Sequence, residues 1–133
     1  MSNQEAIVAL MSKKSERAYA SAKALLAMGD TDGACNRAYY AMLDAARAAL
    51  LHAGCIASLE MVKTHNGLIN AVSNHFVKTG LIPKEIGRLI KRAEELRSIA
   101  DYKGESIDLV DTQELLQHTE VFIDAMRALE PRG

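Results

Sequence analysis

Two short segments of this chain put polar side chains where a helix would be expected to bury only carbon. The first is Asn36-Arg37-Ala38-Tyr39-Tyr40-Ala41-Met42, at the head of an alanine-rich run. The second is Arg97-Ser98-Ile99-Ala100-Asp101-Tyr102. A polar group on a packing face costs free energy unless it is paired or used. Arg97 lies on the same stripe as Ala93 and Ala100. One reading lays its stem along the core, with the head reaching water or pairing with Glu94 or Glu95. The other turns it into a cleft or toward a partner subunit to hold a phosphate, which a planar, permanently charged guanidinium grips with two donors. Asp101, one turn on, shares that helix face and can orient the guanidinium. Tyr102 follows at the expected helix end, where a phenol can be exposed.

In the first segment, Arg37, Tyr40, Asp44 and Arg47 recur at helical spacing and share one face. That face is either solvated, with an Asp44–Arg47 pair, or used for binding. Tyr39 and Tyr40 are adjacent and point in different directions. Tyr40 is expected to be the one buried between helices with its hydroxyl bonded. The histidines are His52, His65, His75 and His118, and none stands at metal spacing from another. His65 follows the candidate helix cap Thr64, where it has either a structural role or a part in binding an anion at the first turn. The glycines are scattered singly, so no phosphate-binding loop is present, and no serine or cysteine sits in a nucleophile motif. A self-contained hydrolase or nucleotidyltransferase is not expected, and no metal or cofactor is called for. Arg97, Asp101 and Tyr102 are the candidate catalytic group; Arg37, Tyr40 and His65 are candidate ligand contacts.

These residues sit in 133 amino acids, 49% hydrophobic and 25% charged, with net charge -1. Such a chain makes one folded domain with a real core, read here as residues 1–133 with the core at about 5–129. Its overall charge does not favour nucleic acid, although a local basic patch could. Cys35 and Cys55 fall in or beside apolar helix and read as free thiols in a reducing compartment. There is no basic segment followed by an apolar run at the start, and the run Ala45 to Leu51 is interrupted by Arg47 and too short for a bilayer. The expected location is the cytoplasm.

The elements that must position the two segments are all helical. Ser2-x-x-Glu5 has the form of a capping box. Ile7, Met11, Ala18, Leu25 and Met28 then mark a buried stripe, and Gly29 ends it. Asp30 or Thr31 can cap a second helix running to about Ala53, with the small-residue stripe Ala38, Met42, Ala45, Ala49. Thr64 can cap a third, with Leu68, Val72 and Phe76 inward and Gly80 past its end. Pro83 suits the first turn of a fourth, whose stripe is Ile86, Ile90, Ala93, Arg97, Ala100. Residues 102–110 read as a loop. Asp111-x-x-Glu114 reads as the cap of a fifth helix, with Leu115, Phe122, Met126 and Leu129 inward. The fold class is all-α, an up-and-down bundle of about five helices.

With those residues assembled, the chain resembles the small stand-alone prokaryotic branch of the HEPN-domain family. Three stretches carry the resemblance: Asn36 through Met42; Lys63-Thr64-His65 through His75-Phe76-Val77-Lys78-Thr79-Gly80; and Arg97 through Ala100-Asp101-Tyr102. The resemblance implies a homodimeric helical bundle paired with a minimal nucleotidyltransferase partner. It also implies RNA or nucleotide as ligand, and in many relatives a toxin that cuts RNA without metal. The RNase motif of such relatives is an arginine followed a few residues on by a histidine. Arg97 matches the arginine; Tyr102 stands at the first position where the histidine could fall, and none occurs between Arg97 and His118. Relatives paired with nucleotidyltransferases can also carry AMP on a tyrosine near the motif, placed after its histidine; Tyr102 is the candidate acceptor here. The alternative implied is a non-catalytic adaptor that positions nucleotide or substrate for the partner.

Overall fold

The computed structural model describes residues 2–130; Met1 and residues 131–133 lie outside it. Five α-helices follow one another, and no strand occurs among the described residues: α1 (Asn3–Ala27), α2 (Thr31–His52), α3 (His65–Val72), α4 (Lys84–Tyr102) and α5 (Leu109–Ala128). A 3-10 turn at Leu59–Val62 precedes α3, and a wider π turn at Ser73–Val77 extends it. The expected helical bundle is therefore present.

The centre of the bundle is α2, which packs against α1, α3, α4 and α5. Its alanines explain how. Ala34, Ala38, Ala41, Ala45, Ala46, Ala48 and Ala49 are all buried, on more than one face of the helix. Small side chains let several helix axes approach one rod closely, and Met42, Leu43, Leu50 and Leu51 fill the remaining space. The largest buried residues from the surrounding elements include Leu68, Phe76, Ile90, Leu115, Phe122 and Met126.

Local chemistry sets most boundaries. The Ser2 hydroxyl accepts from the Glu5 amide at 3.1 Å and starts α1. Gly29, at φ 86°, takes the left-handed turn after α1 that other residues resist. The Asp30 carboxylate then accepts from the Gly33 amide at 2.8 Å, so Asp30 rather than Thr31 caps α2. Thr64 caps α3 through the Gly67 amide at 3.0 Å.

Four sequence expectations need adjustment. Met28 was placed on the buried stripe of α1 and is 80% exposed; it lies beyond the last helical turn, so the periodicity no longer holds there. Pro83 precedes α4 rather than occupying its first turn, its backbone extended at ψ 151°. Tyr102 still belongs to α4, so the loop is shorter than expected. The cap of α5 is Asp108, whose side chain accepts from the Asp111 amide at 2.7 Å, so the helix begins before the Asp111 capping box.

The loop between α4 and α5 is tied back to the start of α2. The Asp32 carboxylate accepts from the Ile107 amide at 2.9 Å and from the Ser106 hydroxyl at 3.2 Å. This tether holds the C-terminal end of α4, with Asp101 and Tyr102, beside the first turns of α2. Both cysteines are free, Cys35 buried and Cys55 half-buried. No helix among the described residues is long and apolar enough to cross a membrane.

Candidate functional site

The Asp30 cap and the Asp32 tether fix the register of α2 against α4. On α2, Asn36, Tyr39 and Tyr40 fall within little more than a turn. On α4, Arg97 and Asp101 are one turn apart on one face. Where the helices meet, Asp101 Oδ2 accepts from Arg97 Nη1 at 3.4 Å and from Asn36 Nδ2 at 3.4 Å. Arg97 Nη1 also donates to the Tyr102 hydroxyl oxygen at 3.5 Å. All three bonds are at the long end of the useful range. The guanidinium lies 5.0 Å from the centre of the Tyr39 ring and 5.7 Å from that of Tyr102, within cation–π reach of both.

The Arg97 side chain is only 11% exposed, and its Nε is buried without a hydrogen-bond partner. Burial works against its charge, but the bonds to Tyr102 and Asp101 outweigh that and raise its pKa above the ordinary value. The reading in which this arginine reaches water does not hold. It does not extend into water, and it pairs with Asp101 rather than with Glu94 or Glu95; its side chain is largely covered, with donor capacity to spare at Nε.

Burial falls on Tyr39 rather than on Tyr40, where it was expected. Tyr39 is wholly buried, and its hydroxyl has no partner. Burial, then Glu94, pushes its pKa up to about 12; the nearby Arg97 offsets part of this, yet no well-formed hydrogen bond links the two. Tyr40 is half-buried, and its hydroxyl makes no hydrogen bond among the described residues. The register of α2 turns Tyr39 toward α4, while Tyr40, one step around the helix, meets α3. The Arg37 guanidinium lies over the Tyr40 ring at 5.6 Å.

His65 closes the cluster from α3. The Thr64 cap puts it in the first turn, where its ring stands edge-on to Tyr39 at 5.4 Å and to Tyr40 at 5.7 Å. Burial, then the charges of Arg97 and Arg47, lowers its pKa below the ordinary 6.5, against a smaller opposing effect of Glu94. The six candidate residues thus join one chain of contacts running Arg37, Tyr40, His65, Tyr39, Arg97, then Asp101 and Tyr102. Tyr39 is the link that sequence reasoning left without a role. Asn36 was quoted in the motif but not assigned one, although its position a turn before Tyr40 was the available signal.

Asp44 and Arg47 form the expected pair at 3.2 Å, half-buried, with burial raising the Asp44 pKa and Arg47 partly offsetting it. Arg47 also borders a cavity of about 590 Å³, with Gln4, Ile7, Leu51, Leu59 and Lys63. That cavity does not include Arg97, Asp101 or Tyr102. No group of histidine, cysteine and carboxylate side chains among the described residues is placed to hold a metal ion.

The HEPN domain family matches residues 8–129. The chain belongs to the HEPN domain family. A UPF0332 protein of Thermotoga maritima is 31% identical over 97% of this chain and 95% of its own length. A UPF0332 protein of Gloeobacter violaceus is 38% identical over 55% of this chain and 54% of its own. A candidate toxin of Methanocaldococcus jannaschii is 31% identical over 68% of this HEPN chain and 64% of its own length.

Proposed function

We propose that this chain is the HEPN component of a two-protein, toxin–antitoxin-like module with a minimal nucleotidyltransferase, and that it binds the phosphate of RNA or a nucleotide at Arg97. The observation that carries the reading is the state of that arginine. It is largely covered, lies near the rings of Tyr39 and Tyr102, and is loosely bonded to Asp101 and Tyr102, with one donor unsatisfied. A buried donor without a partner costs about 1–3 kcal/mol, a cost that an entering anion removes. Tyr102, 75% exposed, covers the guanidinium from the solvent side and can move aside without opening the core. The toxin-related name of the Methanocaldococcus jannaschii relative supports the module. A homodimer in the cytoplasm, with the Arg97 clusters of two copies facing one cleft, completes the proposal.

A second reading rests on the absence of a histidine after Arg97 on α4. In it the chain is a non-catalytic adaptor that presents nucleotide or substrate to the nucleotidyltransferase. The exposed Tyr102 hydroxyl is then the acceptor of AMP: its oxygen releases its proton to solvent and bonds to the α-phosphorus of ATP, and pyrophosphate leaves as the bond to its bridging oxygen breaks. Mass spectrometry of the chain after incubation with its partner and ATP reads this directly, and Tyr102→Phe removes the acceptor oxygen.

Arg97→Lys tests the phosphate site. Lysine keeps the charge and loses the planar fork. Affinity for a short single-stranded RNA should fall by about 1.5–3 kcal/mol, the worth of a charged hydrogen bond, with the fold retained. Unchanged affinity for RNA and for ATP would return Arg97 to a purely structural role.

A further inference from the structure

The first half of α4 carries a row of cations that the Arg97 cluster does not use. Lys84, Arg88 and Lys91 are spaced by four and three residues, so they share one side of the helix. They line a groove of about 120 Å³ whose other wall comes from the end of α3 and the π turn, through Val72, Ser73 and Val77. We propose that this groove holds the phosphate backbone of an RNA strand.

The charge distribution points to an anionic occupant. The chain as a whole has net charge -1, yet no carboxylate lines this groove. Other cations of α4 are matched: Arg92 pairs with Glu95, and Arg97 with Asp101. Lys84, Arg88 and Lys91 are exposed and form no ion pair among the described residues. Glu85, beside Lys84 in the chain, neither lines the groove nor pairs with any of the three. Lys78, next in the chain to Val77, adds a further cation and bonds only to the neutral Asn74 side chain, at 2.9 Å. Like charges at helical spacing destabilise a helix, and a bound polyanion reverses the sign of that effect.

Geometry favours a polymer of phosphates over other anions. A cavity of about 120 Å³ admits a group the size of a phosphate, but not a helix or strand of a protein partner. From Lys84 to Lys91 the helix axis rises by about 10 Å, more than one phosphate spans, so successive phosphates fit better than a single ion. Arg88 can grip one with two donors, while the lysines act as point charges. No aromatic side chain lines the groove for a base to stack on, so the contact reads backbone charge and not sequence. Lys91 and Arg97 are about 9 Å apart along α4, the first on the α3 side and the second against Tyr39 of α2. The choice of RNA as the polymer rests on the function proposed above; the excess of charge in the groove does not.

The test uses the full chain and a short single-stranded RNA carrying 2′-O-methyl groups, so that binding is read without turnover. Log affinity should fall linearly with log salt for the parent. The triple variant Lys84→Gln, Arg88→Gln, Lys91→Gln should keep the parent's circular dichroism and flatten that slope by about 2, since each phosphate contact on a single strand contributes about 0.7. If the triple variant loses helix, the three single variants decide, each flattening the slope by about 0.7. Lys84→Arg with Arg88→Lys and Lys91→Arg keeps the charges and should keep the slope. A parent-like slope in the glutamine variants overturns the proposal. Displacement of the RNA by inorganic phosphate at matched ionic strength overturns it as well, by marking a single-ion site. So does tighter binding of polyglutamate than of RNA that the glutamine variants abolish, which would mark an acidic protein partner. Arg97→Lys keeps the two sites apart. Weakened binding in that variant beside a parent-like slope in the glutamine variants overturns the groove alone. A flattened slope in the glutamine variants beside parent-like binding by Arg97→Lys overturns only the Arg97 site. RNA left unbound by the parent overturns the groove, and affinity for ATP then decides Arg97.

Discussion

At the scale of residues, the informative feature is a pair of buried polar atoms with no partners, the Tyr39 hydroxyl and Arg97 Nε. They make opposite predictions for truncation and for deletion of one atom. Tyr39→Ala removes a fully buried ring and should cost about 3–5 kcal/mol. Tyr39→Phe removes only an unsatisfied hydroxyl, so thermal denaturation should show it as stable as the parent or more so. A large loss in Tyr39→Phe would mean that the hydroxyl has a partner in solution. His65 adds a pH dependence. Its folded pKa is lowered, so the unfolded chain binds the proton more readily. The contribution is present above the ordinary value of 6.5 and is lost as pH falls through the lower folded value. The difference in melting temperature between parent and His65→Gln should therefore change between neutral and mildly acid pH, with the parent losing more on acidification.

At the scale of elements, the bundle is organised by caps and close approaches. The cap of α5 separates two readings of the same stretch, Asp108 against Asp111. Asp108→Ala should destabilise by about 1 kcal/mol, the usual cost of losing a side-chain cap. Asp111→Ala, in the first turn and already donating its amide to Asp108, should cost less. Equal effects in a denaturant titration would argue against Asp108. The packing of α4 on the π turn is tighter still. A methyl group at Gly87 would lie 2.7 Å from Val77 Cγ2, so Gly87→Ala requires one of the two elements to shift. Overpacking of that kind typically costs about 1–3 kcal/mol. Gly87→Ala with Val77→Ala should recover part of the loss.

At the scale of the whole molecule, the proposed dimer depends on surface that one chain leaves open. Tyr102, Leu109 and Val110 flank the loop joining α4 to α5 and are 75%, 52% and 69% exposed. They lie at the same end of α4 as the Arg97 cluster. A seam there would cover apolar area and bring two clusters toward each other across a symmetry axis. Light scattering should show a dimer at micromolar concentration, and Val110→Glu should shift it toward monomer while leaving the helical content unchanged. A parent that remains monomeric would sink the dimer.

Much of this protein could be read before any coordinates. Gly29, Asp30 and Thr64 announce helix ends because their chemistry acts within a turn of backbone. Ala38, Met42, Phe76, Phe122 and Met126 announce the core through periodicity, and Arg97 stood out as a polar intrusion on an apolar stripe. The structure decided what depends on how helices are rotated and set against each other. It buried Tyr39 rather than Tyr40, since both tyrosines satisfy the same local pattern and only the facing helix distinguishes them. It joined Asp101, the partner of Arg97 one turn away, to Asn36 of α2, beside a tether from Asp32 to the loop at residues 106–107 that no local rule anticipates. It also brought His65 to the ring beneath Arg97. Burial and hydrogen bonding between helices are properties of pairs of surfaces, and the pairing is set by packing around α2, not by any one segment.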